Sequence, residues 1–406
     1  MIKKLLFPVA AVLFFLCGCV PAEYVLRVDP GARTPVTVAA LLPLTGSNRI
    51  YAAKMREGLL AAATDINANG GIQGRQLQLE FIDTCGTAMG TRTAVDRVQE
   101  VNAAAMIAGY STEEVSNIIQ YSAALRTPTV IPLATSNLHQ DVSPFVYRNC
   151  YSNAQQMAVL AAYLYHWRTV RRGAVFIDRT GATEYSREVA RDFAQSVQDL
   201  GGEIVDTVIL PESGEIPEPV ILNMLAHDPE FILVTSQGKR SADILKILRK
   251  KGFTGIICGA DSWDDLRFMD ALLDTEPGDC LYTAFFSPEN RSPEFKRFRQ
   301  SFRKRFYHNP GACETQSYDA LKFLAIALQN AGNLFEFDKN WRTIRSYNGA
   351  AAVYTMLKKG DIDRTVYLNS IGVRRGKHLV PYGRLSHKLQ YSKLEDYKIT
   401  ETPDKL

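Results

Sequence analysis

From residue 36 to residue 258, short apolar runs alternate with longer stretches of helical periodicity. Residues 36–42 are apolar enough for a buried strand and stop at Pro43. Residues 50–67 have helical spacing and close on Asn69-Gly70-Gly71, a helix-stop signal. The same alternation predicts strands over 77–82, 105–108 and 129–131, and helices over 87–102 and 111–125. A second series follows, with helices over 153–167, 183–200, 219–226 and 241–251 and strands over 173–177, 203–209, 231–235 and 255–258. Strand–helix units joined by right-handed crossovers build parallel sheets with helices on both faces. Two such series predict an α/β protein of two lobes. Pro128, Pro132 and Pro144 precede the second series, where a hinge crossing is expected.

Open parallel sheets take ligands outside the carboxyl ends of their strands. In a two-lobed chain those edges can face each other across a cleft. The loops to examine are therefore 44–51, 109–114, 133–138, 179–185, 236–239 and 259–263.

The amino-terminal segment has another purpose. Lys3 and Lys4 precede an apolar run over 5–16, broken by Pro8, that ends in Leu16-Cys17-Gly18-Cys19. This describes a secretory signal over 1–18, and it is shorter than the roughly 20 residues a spanning helix needs. Leu-x-Gly-Cys resembles the lipobox of bacterial lipoproteins. The resemblance implies that Cys19 becomes the acylated first residue and holds the protein on a membrane surface. The plainer reading is a signal peptide with an incidental cysteine. Residues 19–35 contain three prolines and little apolar periodicity, as a tether would.

Composition fits a folded body behind that tether: 46% of residues are hydrophobic and 22% charged, ordinary for a globular protein. The length calls for more than one domain. A net charge of +4 is small, and acidic and basic residues are interspersed, so no nucleic-acid partner is expected. The densest basic cluster, Lys296 to Arg305, has Phe295, Phe298, Phe302 and Phe306 threaded through it at helical spacing. It reads as one amphipathic helix with a core stripe and a solvated face. Beyond Cys17 and Cys19 lie Cys85, Cys150, Cys258, Cys280 and Cys313, far apart and without a Cys-x-x-Cys pair. No metal site is expected from them, and their odd number leaves at least one thiol without an internal partner. Their connectivity is open.

Enzyme signatures are missing. The sequence has no Gly-x-Ser-x-Gly, no His-Glu-x-x-His, no phosphate loop and no dinucleotide fingerprint after a strand. Of the 6 histidines only His139 is near an expected cleft loop. A non-enzyme without cofactor is expected.

At the loops the chain resembles the branched-chain amino-acid binding proteins, a group of type I periplasmic binding proteins that serve ABC importers. The residues that carry the likeness are Leu42-Pro43-Leu44-Thr45-Gly46, Tyr51, Gly58 and Ile66-Asn67-Ala68-Asn69-Gly70-Gly71-Ile72-Gln73-Gly74. It continues through Gly109-Tyr110-Ser111-Thr112, Ile131 to Thr135, Tyr147-Arg148, Tyr185, Gly259-Ala260-Asp261, Tyr318-Asp319-Ala320, Tyr347-Asn348-Gly349 and Lys359-Gly360-Asp361. The resemblance implies a clamshell whose lobes are discontinuous, with three crossings near residues 148–150, 285–287 and 368–370. Residues 36–148 with 286–368 would form one lobe and 149–285 with 369–395 the other, leaving 396–406 as a tail.

The likeness also implies a site. A zwitterionic ligand needs oriented donors for its carboxylate, best at a helix N-terminus, and a carboxylate for its ammonium. Ser111, Thr112, Thr135 and the Leu133 carbonyl would serve the first end. Asp261 would pair with the ammonium, Tyr185 would close over the ligand and Tyr51 would wall the pocket. Each has a plainer role: Ser111 with Glu114 as a capping box, Thr135 as a strand end, Tyr185 as a surface residue, Asp261 or Asp264 as a cap. Departures from the family are Glu113 and Glu114 in the first turn after Ser111, Ala52, Leu133, Asn137, and the absence of the usual partner for Cys85 near Gly109. The expected function is a lipid-anchored solute-binding protein of the bacterial envelope, on the periplasmic face. It would capture a small polar molecule, most plausibly an amino acid, for an ABC permease. The alternative is a lipoprotein that uses the same clamshell to signal to a partner.

Overall fold

The computed structural model describes residue 26 and residues 34–137, 142–180, 182–212, 216–273, 275–357, 361–371 and 384–394. The expected signal segment, Cys19, most of the tether, residues 138–139 and the tail lie outside the described residues.

Strands β1 (Val36–Leu42), β2 (Leu77–Asp83), β3 (Ala105–Ile107), β4 (Thr129–Ile131) and β5 (Val146–Arg148) form an all-parallel sheet in the order β2-β1-β3-β4-β5. β1 lies near the middle and is almost wholly buried, which is why it reads as an apolar run rather than an alternation. The second sheet begins with β6 (Arg172–Ile177), β7 (Glu203–Ile209), β8 (Phe231–Val234), β9 (Ile256–Gly259) and β10 (Cys280–Ala284), parallel in the order β7-β6-β8-β9-β10. The expected α/β architecture of two parallel sheets flanked by helices is therefore present.

Helices α1 (Arg49–Ala68), α2 (Ala88–Glu100), α3 (Thr112–Ile119) and α4 (Ser122–Leu125) connect the strands of the first sheet. The single helix expected over 111–125 is divided into α3 and α4. The Ser122 hydroxyl donates to the Ile119 carbonyl at 2.7 Å and so competes with the helical ladder there. Helices α5 (Asn153–His166), α6 (Thr183–Asp199), α7 (Glu218–Ala226), α8 (Gly238–Lys250) and the short α9 (Leu266–Ala271) belong with the second sheet. The chain then returns to the first through α10 (Pro293–Phe306), α11 (Ala312–Leu328) and α12 (Leu334–Arg342). α10 is the amphipathic helix expected: Phe295, Phe298 and Phe302 are buried while Lys296, Arg297, Arg303, Lys304 and Arg305 face solvent.

The return is held by close packing of α11 on α1. A Cβ on Gly58 would lie 2.1 Å from the Glu314 carbonyl oxygen, so only glycine lets the two backbones meet. Gly58→Ala is expected to cost about 1–3 kcal/mol by forcing the helices apart. Urea unfolding of the variant measures it, and an unchanged midpoint would refute the contact.

Three segments pass between the lobes. The first follows β5 at Asn149 and the second follows β10 at Phe285. The third runs along β13 (Ile362–Ser370). Tyr354, on β12 (Val353–Met356), pairs with Arg364, whereas Tyr367 and Leu368 already pair with Ala284 and Thr283 of β10. One nine-residue strand is long enough to serve both sides, so its partners change along its length. β11 (Tyr347–Asn348) extends the β12 side, and β14 (Arg384–Gln390) lies antiparallel to β13 on the other.

Arg364 is buried where these segments meet. Its guanidinium donates to the Asn149 carbonyl at 3.3 Å and to the Phe285 carbonyl, and its Nε donates to the Thr365 carbonyl at 3.2 Å. It also lies over the rings of Tyr354, Tyr151 and Phe285 at 4.9, 5.4 and 5.5 Å. One side chain thus joins all three crossings. The five cysteines from Cys85 to Cys313 are all free.

Candidate functional site

The carboxyl ends of the two sheets enclose a cavity of about 380 Å³. The first sheet contributes Ser47, Asn48, Tyr110, Ser111, Thr112, Glu113, Leu133, Ala134 and Thr135; the second contributes Thr180, Tyr185, Gln237, Asp261, Ser262, Asp264 and Arg267. Phe285 enters from a crossing segment, and Ala312 and Cys313 from the start of α11.

Asp261 opens a short 3-10 turn, Asp261–Trp263, directly after β9. Trp263 is fully buried beneath that turn, and a side chain at Gly259 would run into its indole at 2.1 Å. The turn is thereby pressed against the strand end and the Asp261 carboxylate is aimed at the cleft. Its Oδ1 accepts from Gln156 Nε2 at 2.7 Å and from the Tyr185 hydroxyl at 2.9 Å. Gln156 is itself fixed by the Thr283 hydroxyl, which donates to its Oε1 at 2.6 Å. Burial pushes the Asp261 carboxyl up to about 6, although the bonds from Gln156 and Tyr185 favour the anion. Asp264 is pushed up to about 7, first by burial and then by Asp265, Glu314 and Asp261, with Lys54 opposing them. Its Oδ2 is buried without a hydrogen-bond partner among the described residues.

On the facing wall, Ser111 caps α3, its hydroxyl accepting from the Glu114 N–H at 3.3 Å. Glu114 turns away from the cleft, buried, where its carboxylate accepts from the Tyr110 N–H at 2.9 Å and from the Thr84 hydroxyl. Glu113 remains on the cavity wall, its carboxyl raised by burial although the neighbouring Ser111 hydroxyl and its own N–H favour the anion. Thr135 lines the cavity, and its carbonyl accepts from the Asn153 N–H at 2.7 Å.

Six of the seven expected ligand residues, Ser111, Thr112, Leu133, Thr135, Tyr185 and Asp261, come together on this one cavity. Tyr51 does not line it. It lies behind Tyr110, their rings stacked at 4.2 Å and 1° apart, and borders a smaller adjoining space. Its hydroxyl donates to Asp265 Oδ2 at 2.7 Å and accepts from Arg267, whose guanidinium sits 5.2 Å above the ring. Tyr51 on α1 therefore bridges to Asp265, the cap of α9. A hydrogen bond to a charged group contributes about 1.5–3 kcal/mol. Tyr51→Phe is expected to favour the open form and to weaken ligand binding about tenfold or more. Small-angle scattering and calorimetry read the two effects, and a variant equal to wild type in both would refute the bridge.

Sequence reasoning missed Tyr110, Gln156 and Arg267, and gave Glu113 and Asp264 only helix-end roles. Tyr110 and Glu113 follow β3 directly, so position after a strand was the available signal. Among the described residues, Glu57, His308 and Glu314 also converge with metal-ligating atoms. They are accounted for without an ion: His308 pairs with Glu57 at 2.9 Å, and Glu314 accepts from the Gly311 N–H at 3.0 Å.

The model of the family described as periplasmic binding protein matches residues 35–368. The chain is similar to the Leu/Ile/Val-binding protein BraC3 of Rhizobium johnstonii, with 24% identity over 343 residues, covering 82% of this chain and 86% of the relative. Among solved structures it is similar to the leucine binding protein LivK of Thermotoga maritima, with a TM-score of 0.74 and 22% identity over 87% of this chain and 98% of that one. It is also similar to LivJ of Streptococcus pneumoniae, solved in complex with isoleucine, with a TM-score of 0.74 and 18% identity over 88% of this chain and 100% of that one. With a cleft at the carboxyl ends of the parallel strands of its two sheets, the chain belongs to the periplasmic binding protein family and is a solute-binding protein.

Proposed function

We propose that this protein captures an amino acid between its lobes and delivers it to an ABC importer, held at the periplasmic face of a membrane by acyl chains on Cys19. The supporting observation is the pairing of opposite walls. Asp261, aimed by Gln156 and Tyr185, offers an acceptor for an ammonium, while Thr112 at the start of α3 and Thr135 offer donors across the cavity. A ligand that touches both walls binds the closed form more tightly than the open one and so shifts the population toward closure. The lobes would comprise residues 36–148 with 286–368, and 149–285 with 369–395.

A thermal-shift screen of the mature protein against the amino acids and small carboxylates tests this reading. A ligand at about 100 times its Kd adds about 2.7 kcal/mol of stability. Stabilisation by an amino acid is expected; stabilisation solely by carboxylates that lack an amine would overturn it. For the anchor, Cys19→Ser is expected to release the protein from membranes or leave it unprocessed, and a wild-type protein without acyl mass would sink that part.

A further inference from the structure

Resting on the amino-acid reading above, we infer that the ligand carries a second cationic group, so that a basic amino acid fits this cleft better than an apolar one. The charged groups on the described walls are Glu113, Asp261, Asp264 and Arg267. Arg267 is already committed: its Nη2 donates to Asp265 Oδ2 at 2.8 Å and to the Tyr51 hydroxyl. The cavity is therefore acidic on both sides, with Glu113 on the wall of the first sheet and Asp261 and Asp264 on the wall of the second.

The two sides make separate demands. At the start of α3, the Ser111 hydroxyl and the first N–H groups of the helix stand beside the Glu113 carboxyl on the cavity wall. An ammonium beside Glu113 would be attracted by it, leaving Thr112 and Thr135 to the ligand carboxylate. On the opposite side Asp261 has its Oδ1 satisfied by Gln156 and Tyr185, but Asp264 presents a buried Oδ2 without a hydrogen-bond donor. A buried carboxylate oxygen of that kind calls for a donor, best a charged one. Burial raises each of these three carboxyls, and at Asp264 it outweighs the opposing charge of Lys54. A branched aliphatic side chain would leave Glu113 desolvated and Asp264 Oδ2 without a donor, which a binding site does not tolerate cheaply.

One zwitterionic ammonium can serve one side; two ammonium groups on a short chain serve both. That chemistry is shared by basic amino acids and by α,ω-diamines, which differ in the carboxylate that Thr112 and Thr135 would receive.

Calorimetry of the full mature protein with L-lysine, cadaverine and L-norleucine separates the cases, with L-ornithine and L-arginine extending the series. Norleucine lacks the second amine, and cadaverine lacks the carboxylate. The expected result is that the tightest basic amino acid binds at least about tenfold better than norleucine, about 1.4 kcal/mol. Glu113→Gln, with folding checked by circular dichroism, should narrow that ratio. Cadaverine binding without lysine would keep the dication chemistry and overturn the amino-acid reading. Norleucine or leucine binding as tightly as every basic amino acid would overturn the inference and keep that reading. Binding of none of these compounds would overturn both.

Discussion

Asp261→Asn is expected to weaken amino-acid binding by roughly 30-fold or more, because losing one partner of a buried, hydrogen-bonded charge pair costs about 2–5 kcal/mol. Asparagine can still accept from Gln156 and Tyr185 through its amide oxygen, so the turn at Asp261–Trp263 should keep its shape. The loss would then report charge and not collapse. A companion pH series follows from the same group. In the ligand-free protein Asp261 is raised to about 6 and Asp264 to about 7, both above their ordinary value of 3.8. A carboxyl whose folded pKa is raised holds more protons folded than unfolded, so its contribution to apo stability falls as pH rises from about 4 to about 7. Ligand affinity runs the other way, because an ammonium pairs with the ionised form. Affinity for an amine ligand should therefore fall between pH 8 and pH 5, while the melting temperature of the apo protein gains from these two groups over the same interval. Calorimetry at both pH values checks the first part. Equal affinity at pH 5 and pH 8, or Asp261→Asn binding as tightly as wild type, would remove Asp261 from the ammonium site.

The largest effect on stability is expected from Arg364→Met. Methionine can fill part of the apolar space among Tyr151, Phe285 and Tyr354, but it cannot donate to the carbonyls of Asn149, Phe285 and Thr365. Asn149 retains one donor, Gln316 Nε2 at 2.8 Å. Each buried carbonyl left without a donor costs about 1–3 kcal/mol. The variant should lose about 3–5 kcal/mol in total, which urea unfolding of the ligand-free protein would read. A loss below about 1 kcal/mol would mean that the crossings are held by packing alone.

What the sequence made legible follows the range of the forces involved. β1, α1 and the second αβ series are set by local periodicity and by stop signals such as Asn69-Gly70-Gly71, and they fall within a few residues of expectation. β5, β11 and β12 have two to four residues each, too few for any period to register. The loops that hold Ser111, Thr135, Tyr185 and Asp261 were legible because an open parallel sheet offers few places for a ligand, and the residues within them through the family likeness. Tyr51 was misplaced because its direction is set by a ring stack with Tyr110 and a bond to Asp265, 214 residues away. Gln156 lies on a helix without any local mark of function; its partner Asp261 is 105 residues distant. Arg364 carries no local mark of its role, which depends on Asn149, 215 residues earlier.

The packing of α1 on α11 also sets the order in which this protein can fold. Tyr318 donates to Asp65 Oδ2 at 2.6 Å across 253 residues of chain, close to where Gly58 admits Glu314. The sheet made first during synthesis therefore lacks a helix of its own cover until the C-terminal third has been made. Contacts this distant in sequence make folding slow, since loop closure must precede the contacts that reward it. For a chain proposed to be exported, such a delay in the first sheet would favour crossing before that sheet closes.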